Sequence, residues 1–138
     1  MKLYLAGSVY NLTALNFLAQ VLEKEVPGLK VISAWLTEGD PAEDLETRWL
    51  KDVINGVEKA DAVLATFPYG DGTLCEMAYG AGLGKHVVYF RDSRFADEDP
   101  LITGGFKLTE TPTDSYPDRI KTPSFEVVKS FLARVPGD

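Results

Sequence analysis

The chain is poor in the residues that build metal and redox centres. It has one cysteine, Cys75, and one histidine, His86. A lone cysteine excludes an internal disulfide and a cysteine cluster for zinc. A lone histidine excludes a multi-histidine metal site, so we expect no metal and no redox cofactor. A Ser-His-Asp system would have to use His86, which opens a strand and is expected at the wrong sheet end. Positive charge is also scarce: 14 Lys and Arg stand against 21 Asp and Glu, for a net charge of −7. Nucleic-acid binding rests on basic patches, so no nucleic-acid partner is expected. No apolar run approaches the ~18 residues of a membrane span, so no membrane partner is expected either. The start of the chain reads as a strand and not as a signal peptide, which makes cytoplasmic placement the expectation. Neither G-x-G-x-x-G after the first strand nor G-x-x-x-x-G-K-[ST] occurs, which argues against Rossmann dinucleotide and P-loop sites.

What is present is an alternation of β and α patterns. Lys2–Ala6 is a β-type run ending at Gly7-Ser8. Thr13 to Glu25 carries Leu15, Leu18, Ala19 and Leu22 at helical spacing, and Pro27-Gly28 stops it. Leu29–Trp35 reads as a second strand. Asp40-Pro41-Ala42-Glu43 has the form of a helix start, with a helix expected to Lys59. Asp61–Thr66 reads as a third strand, Thr73–Leu83 as a third helix and His86–Phe90 as a fourth strand. Residues 91–100 look like a charged loop, and Phe106–Glu110 like a short strand. Thr111–Pro123 reads as a loop and Ser124–Arg134 as a last helix. The 138 residues suit one α/β domain, 1–138, with a parallel sheet.

The most informative stretch runs from Asp61 to Phe90: buried strand, glycine-rich turn, helix, buried strand. Ligands of open α/β sheets bind at the carboxyl ends of strands. Pro68-Tyr-Gly-Asp-Gly72 brings two glycines to that place, where backbone can approach a ligand closely. Glu76 follows in the expected first helical turn, where the helix dipole favours an ionised carboxylate suited to nucleophilic attack. The plainer reading is that Thr73-Leu-Cys-Glu76 is a capping box. Asp52 lies three residues after Trp49 and seven after Leu45, on one helical face, either at the edge of the apolar stripe or pointed into a pocket. Tyr4 shares a strand face with Lys2; it packs, or it hydrogen-bonds a carboxylate and fixes its orientation. Gly7-Ser8 is an ordinary turn or a contact to a sugar or phosphate. Trp35 is core, or a wall on which a base stacks.

Together Lys2-Leu-Tyr-Leu-Ala-Gly-Ser8, Asp52 with Ala60-Asp61-Ala-Val-Leu-Ala65, and Gly72-Thr-Leu-Cys-Glu76-Met-Ala-Tyr-Gly-Ala-Gly-Leu-Gly-Lys85 resemble the nucleoside 2-deoxyribosyltransferase family over residues 1–90. The resemblance implies a flavodoxin-like doubly wound fold, a homo-oligomer, and transfer of a 2-deoxyribosyl group from a nucleoside to a free nucleobase. It implies that Glu76 attacks C1′, Tyr4 orients Glu76, and Asp52 contacts or protonates the leaving base. Asp71 would bind the sugar hydroxyls, one residue nearer the glutamate than in some members, and Gly72 of the glycine turn would contact the substrate. In such an oligomer we expect part of residues 91–122 to lie near a neighbour's pocket. No cofactor is implied. Related enzymes hydrolyse 2′-deoxynucleoside 5′-monophosphates; here Val9-Tyr10-Asn11 offers no arginine and Asp71 would repel phosphate, so a nucleoside is the preferred expectation. Pro68-x-Gly70-x-Gly72-Thr73-x-x-Glu76 also resembles the signature of cytokinin-releasing phosphoribohydrolases, except at Tyr69. Of a different class, a non-catalytic nucleoside or nucleotide sensor would keep the pocket and lose the acid pair. A flavodoxin-like interaction domain would need neither.

Overall fold

The computed structural model describes residues 1–8, 12–33, 35–38, 45–66, 70–91, 107–110, 113–116, 120–123 and 132–133. The expected helix start at Asp40-Pro41, the loop 92–100 and most of the expected last helix lie outside these residues. So does the Pro68-Tyr69 part of the glycine turn.

Five parallel strands form the sheet: β1 (Lys2–Ala6), β2 (Lys30–Val31), β3 (Ala62–Ala65), β4 (His86–Arg91) and β5 (Lys107–Glu110). Their order is β2-β1-β3-β4-β5. Leu3 to Ala6 of β1 and all of β3 are fully buried, as expected of central strands covered on both faces. They pair with Leu3 opposite Ala62 and Ala6 opposite Ala65, and Ala62 in turn lies opposite His86. His86 therefore sits at the amino end of its strand, where it was expected.

Helix α1 (Leu12–Glu25) covers the sheet with Ala14, Leu15, Leu18, Ala19 and Leu22, one residue for nearly every turn of its inner face. A short helix α2 (Trp35–Glu38) follows β2. Helix α3 (Leu45–Trp49) runs into a π-helical turn, Leu50–Ile54, and then a 3₁₀ turn, Val57–Lys59. Helix α4 (Asp71–Gly82) joins β3 to β4.

Four sequence expectations are corrected. The second strand is two residues long, not seven, because side chains take over its pairing: the Leu5 amide donates to Ser33 Oγ at 2.6 Å, and Trp35 Nε1 donates to the Leu5 carbonyl at 2.9 Å. The helix expected to reach Lys59 changes to a π turn at Leu50 and ends before Gly56. The third helix begins two residues early, with Gly70 as its N-cap. The expected loop 111–123 contains an antiparallel pair, β6 (Thr113–Tyr116) and β7 (Ile120–Pro123). Its polar, proline-bearing sequence gives no apolar alternation, yet its strands pair from Thr113 opposite Pro123 to Tyr116 opposite Ile120.

Candidate active site

β1 lies between β2 and β3, so the chain leaves β1 for the neighbour on one edge and returns from β2 to the neighbour on the other. The carboxyl ends of β1 and β3 therefore flank a crevice, the place where open α/β sheets bind ligands. A cavity of about 280 Å³ lies there, lined by Gly7, Ser8, Trp35, Arg48, Asp52, Gly70, Gly72, Thr73 and Glu76. Its size is at the lower end of the ~300–1,000 Å³ typical of small-molecule pockets.

Each lining group is placed by a local cause. Gly7 continues β1 where β1 and β3 are still paired, with the Thr66 amide donating to the Ala6 carbonyl at 3.0 Å. A Cβ on Gly7 would lie 2.6 Å from Thr66 Oγ1 and 2.8 Å from Leu15 Cδ1. Only glycine lets the chain turn into the crevice at that point. Trp35 is 4% exposed, and its indole N–H is committed to Leu5, so a fixed aromatic surface remains for the cavity. Gly70 caps α4 without a side-chain bond, which leaves the first amides of the helix beside Gly70 and Gly72.

Glu76 is the sixth residue of α4, in its second turn. Thr73 is buried three residues into the helix and is not its cap. The capping-box reading of Thr73 and Glu76 is thereby removed. So is the expected ionisation by the helix terminus, whose field fades within the first turn. Burial instead pushes the Glu76 carboxyl up from 4.5 to about 8. Beyond burial, the Tyr4 phenol and the Arg48 guanidinium favour its ionised form, whereas the Asp52 charge opposes it.

Tyr4 is fully buried behind Glu76. Burial and the neighbouring Glu76 and Asp52 charges raise its phenol well above its ordinary value, so it stays neutral. Its hydroxyl and the carboxyl influence each other's ionisation as hydrogen-bonding neighbours, yet neither Tyr4 Oη nor Glu76 Oε2 has a partner of normal geometry. Good geometry is the stricter condition, so the two groups are close neighbours and not a formed hydrogen bond.

Asp52 reaches the cavity from the π turn and holds Arg48 Nη2 at 2.9 Å through Oδ2. It does not share a buried face with Trp49, which is 52% exposed and meets Tyr79 edge-on with ring centroids 6.1 Å apart. The π turn accounts for this separation, because its wider winding rotates the residues after Trp49 away from the α-helical face.

Of the residues singled out in the sequence, Gly7, Ser8, Trp35, Asp52, Gly72 and Glu76 line one cavity, and Tyr4 stands behind it. Asp71 is exposed at the start of α4 and is not among the lining residues. Sequence reasoning missed Arg48, although its spacing of four from Asp52 is that of a helical ion pair. It also missed Gly56, which the Asn55-Gly56 pair signals as a helix break.

Among the described residues no group of three or more His, Cys, Asp or Glu could hold a metal ion. Among the same residues no helix is long and apolar enough to cross a membrane. In comparisons with known proteins, no family model matches this chain and no curated protein matches it.

Proposed function

We propose that this protein cleaves the N-glycosidic bond of a 2′-deoxynucleoside and transfers the deoxyribosyl group to a second base. One observation carries the reading. The Glu76 carboxyl faces a cavity of about 280 Å³ together with the Asp52–Arg48 ion pair, with a neutral Tyr4 phenol behind it. The β2-β1-β3-β4-β5 order supports it, being consistent with a flavodoxin-like arrangement, in which ligands bind at the carboxyl ends of the first and third strands.

In this reading Glu76 attacks C1′ as a carboxylate. The C1′–N bond breaks as the new C1′–O bond forms, and the bonding pair leaves with the base. Oxocarbenium character at C1′ is stabilised by the same carboxylate. Asp52, held by Arg48, faces the base and hydrogen-bonds it or relays the proton it needs. Trp35 offers the planar base a flat wall. The nitrogen of a second base then attacks C1′ of the glycosyl ester and releases Glu76. With its carboxyl pushed up to about 8, Glu76 is mostly protonated at pH 7. Turnover therefore rises with pH toward that value.

Arg48 and the uncapped amides of α4 favour a second reading, hydrolysis of a nucleoside 5′-monophosphate. The pairing of Arg48 with Asp52, and the exposed Asp71 at the same helix start, weigh against it.

The test is chromatography of the protein incubated with a 2′-deoxynucleoside, with and without a second free base. A new deoxynucleoside formed only with the acceptor, and lost in Glu76→Ala, is the expected result. Free base without exchange means a hydrolase. No turnover of nucleosides or of their 5′-monophosphates would sink the glycosidic reading and favour a binding protein.

A further inference from the structure

The chain between Leu50 and Ala60 changes helix type twice within a few residues. The Asn55 amide donates to the Leu50 carbonyl at 2.8 Å, the five-residue spacing of a π turn. The Gly56 carbonyl then accepts from the Lys59 and Ala60 amides, both at 3.1 Å, and starts the 3₁₀ turn. Gly56 itself is buried between these two windings. A Cβ built on it would lie 2.3 Å from the Asp52 carbonyl oxygen, 2.6 Å from Tyr4 Cε2 and 2.9 Å from Tyr4 Cδ2. Real Cβ atoms do not come so close to other atoms. Gly56 is thus the point where the edge of the Tyr4 ring, the backbone of Asp52 and the turn after α3 share one space.

We infer that Gly56 is a positioning residue of this site: its missing side chain seats the Tyr4 ring behind the Glu76 carboxyl while the Asp52 backbone closes beside it. The inference depends on the reading of Glu76 as the reacting group only for its functional meaning. The placement of Tyr4 against Glu76 is measurable without turnover.

Among the described residues, the charged and titratable groups that act on Glu76 are Tyr4 from β1 and Arg48 and Asp52 from α3 and its π turn. Among them the Tyr4 hydroxyl, close to the carboxyl though not in a formed hydrogen bond, favours the carboxylate as a nearby donor dipole. A methyl on residue 56 displaces the ring and withdraws that help. Tyr4→Phe withdraws it too, by removing the hydroxyl from a ring that stays in place. The two changes therefore act on Glu76 through one group.

The experiment is a carboxyl NMR titration of protein labelled with ¹³C-glutamate, the Glu76 signal being assigned by its loss in Glu76→Gln. Wild type is expected to titrate near 8. Gly56→Ala is expected to titrate higher by roughly half a unit or more, as Tyr4→Phe does. The double variant is expected to match Tyr4→Phe alone. Where turnover is measured, Gly56→Ala should lower kcat more than it changes KM. A folded Gly56→Ala protein with the wild-type titration overturns the inference, even if its melting temperature falls, because a purely structural glycine would behave that way. Additive shifts in the double variant also overturn it. If Gly56→Ala does not fold, Tyr4→Val combined with Gly56→Ala gives the methyl the space of the ring. Recovery of folded protein supports the contact; failure to recover it assigns the deciding clash to the Asp52 carbonyl and overturns the seating of Tyr4 as the role of Gly56. Loss of the nucleoside reading with an intact titration result would leave this inference standing.

Discussion

Trp35 Nε1 donates to the Leu5 carbonyl at 2.9 Å, so an aromatic side chain completes the central strand where the neighbouring strand has already ended. The Leu5 amide is met in the same way by Ser33 Oγ. Strand pairing and pocket wall are thus one device. Trp35→Phe keeps an aromatic surface but leaves the buried Leu5 carbonyl without this donor. We expect a loss of about 1–3 kcal/mol in urea unfolding, since an unmet buried acceptor carries its desolvation cost. A nucleoside that stacks on the ring should still bind to the Phe variant. An unchanged unfolding midpoint would show that the indole bond contributes nothing.

Glu76 carries a second stability prediction, with a defined sign. Its carboxyl ordinarily titrates at 4.5 and in the folded protein at about 8. The folded state therefore holds the proton more tightly than the unfolded state. The associated stability is fully present below pH 4.5 and is lost as pH rises through about 8. Glu76→Gln mimics the neutral acid at every pH. Its stability should come close to wild type near pH 4.5 and exceed it at pH 9 by an amount on the order of 5 kcal/mol, read as a higher melting temperature. A variant less stable than wild type at pH 9 would contradict the burial of this carboxyl.

Much of this fold was legible in the sequence because its central strands are buried on both faces. Leu3-Tyr-Leu-Ala6 and Ala62-Val-Leu-Ala65 are apolar without alternation, and the helices between them carry a clear 3.6 period. The second strand was overestimated because Ser33 and Trp35 look like strand residues, and only tertiary contact reveals that they bond with their side chains. The β6–β7 pair was missed because Thr113-Asp-Ser-Tyr116 has no apolar face to read. In the site, Gly7, Glu76 and Gly72 follow from their places at strand ends. Arg48 carried only the general signal of ion-pair spacing to Asp52, and Gly56 only that of a helix break; that the two reach the site depends on the packing of the segment 45–60 against β1 and α4. Tyr4 was readable as a strand residue, but its full burial depends on the turn at Gly56 and on α4 closing over β1.

The Arg48–Asp52 pair makes opposite predictions for its two members. Arg48 eases ionisation of Glu76 and Asp52 hinders it. Their side chains are 23% and 16% exposed, so the pair itself contributes little to folding, about 0.3–1 kcal/mol, and both single variants should fold. Arg48→Met leaves the Asp52 charge facing Glu76 uncompensated. The Glu76 titration should move above its wild-type midpoint, and kcat/KM at pH 7 should fall. Asp52→Asn removes the opposing charge and should move the midpoint down. Combining the two should return it close to wild type, because both influences are then gone. If both single variants shift the midpoint in the same direction, charge does not govern this carboxyl, and a change in its burial must be the common cause.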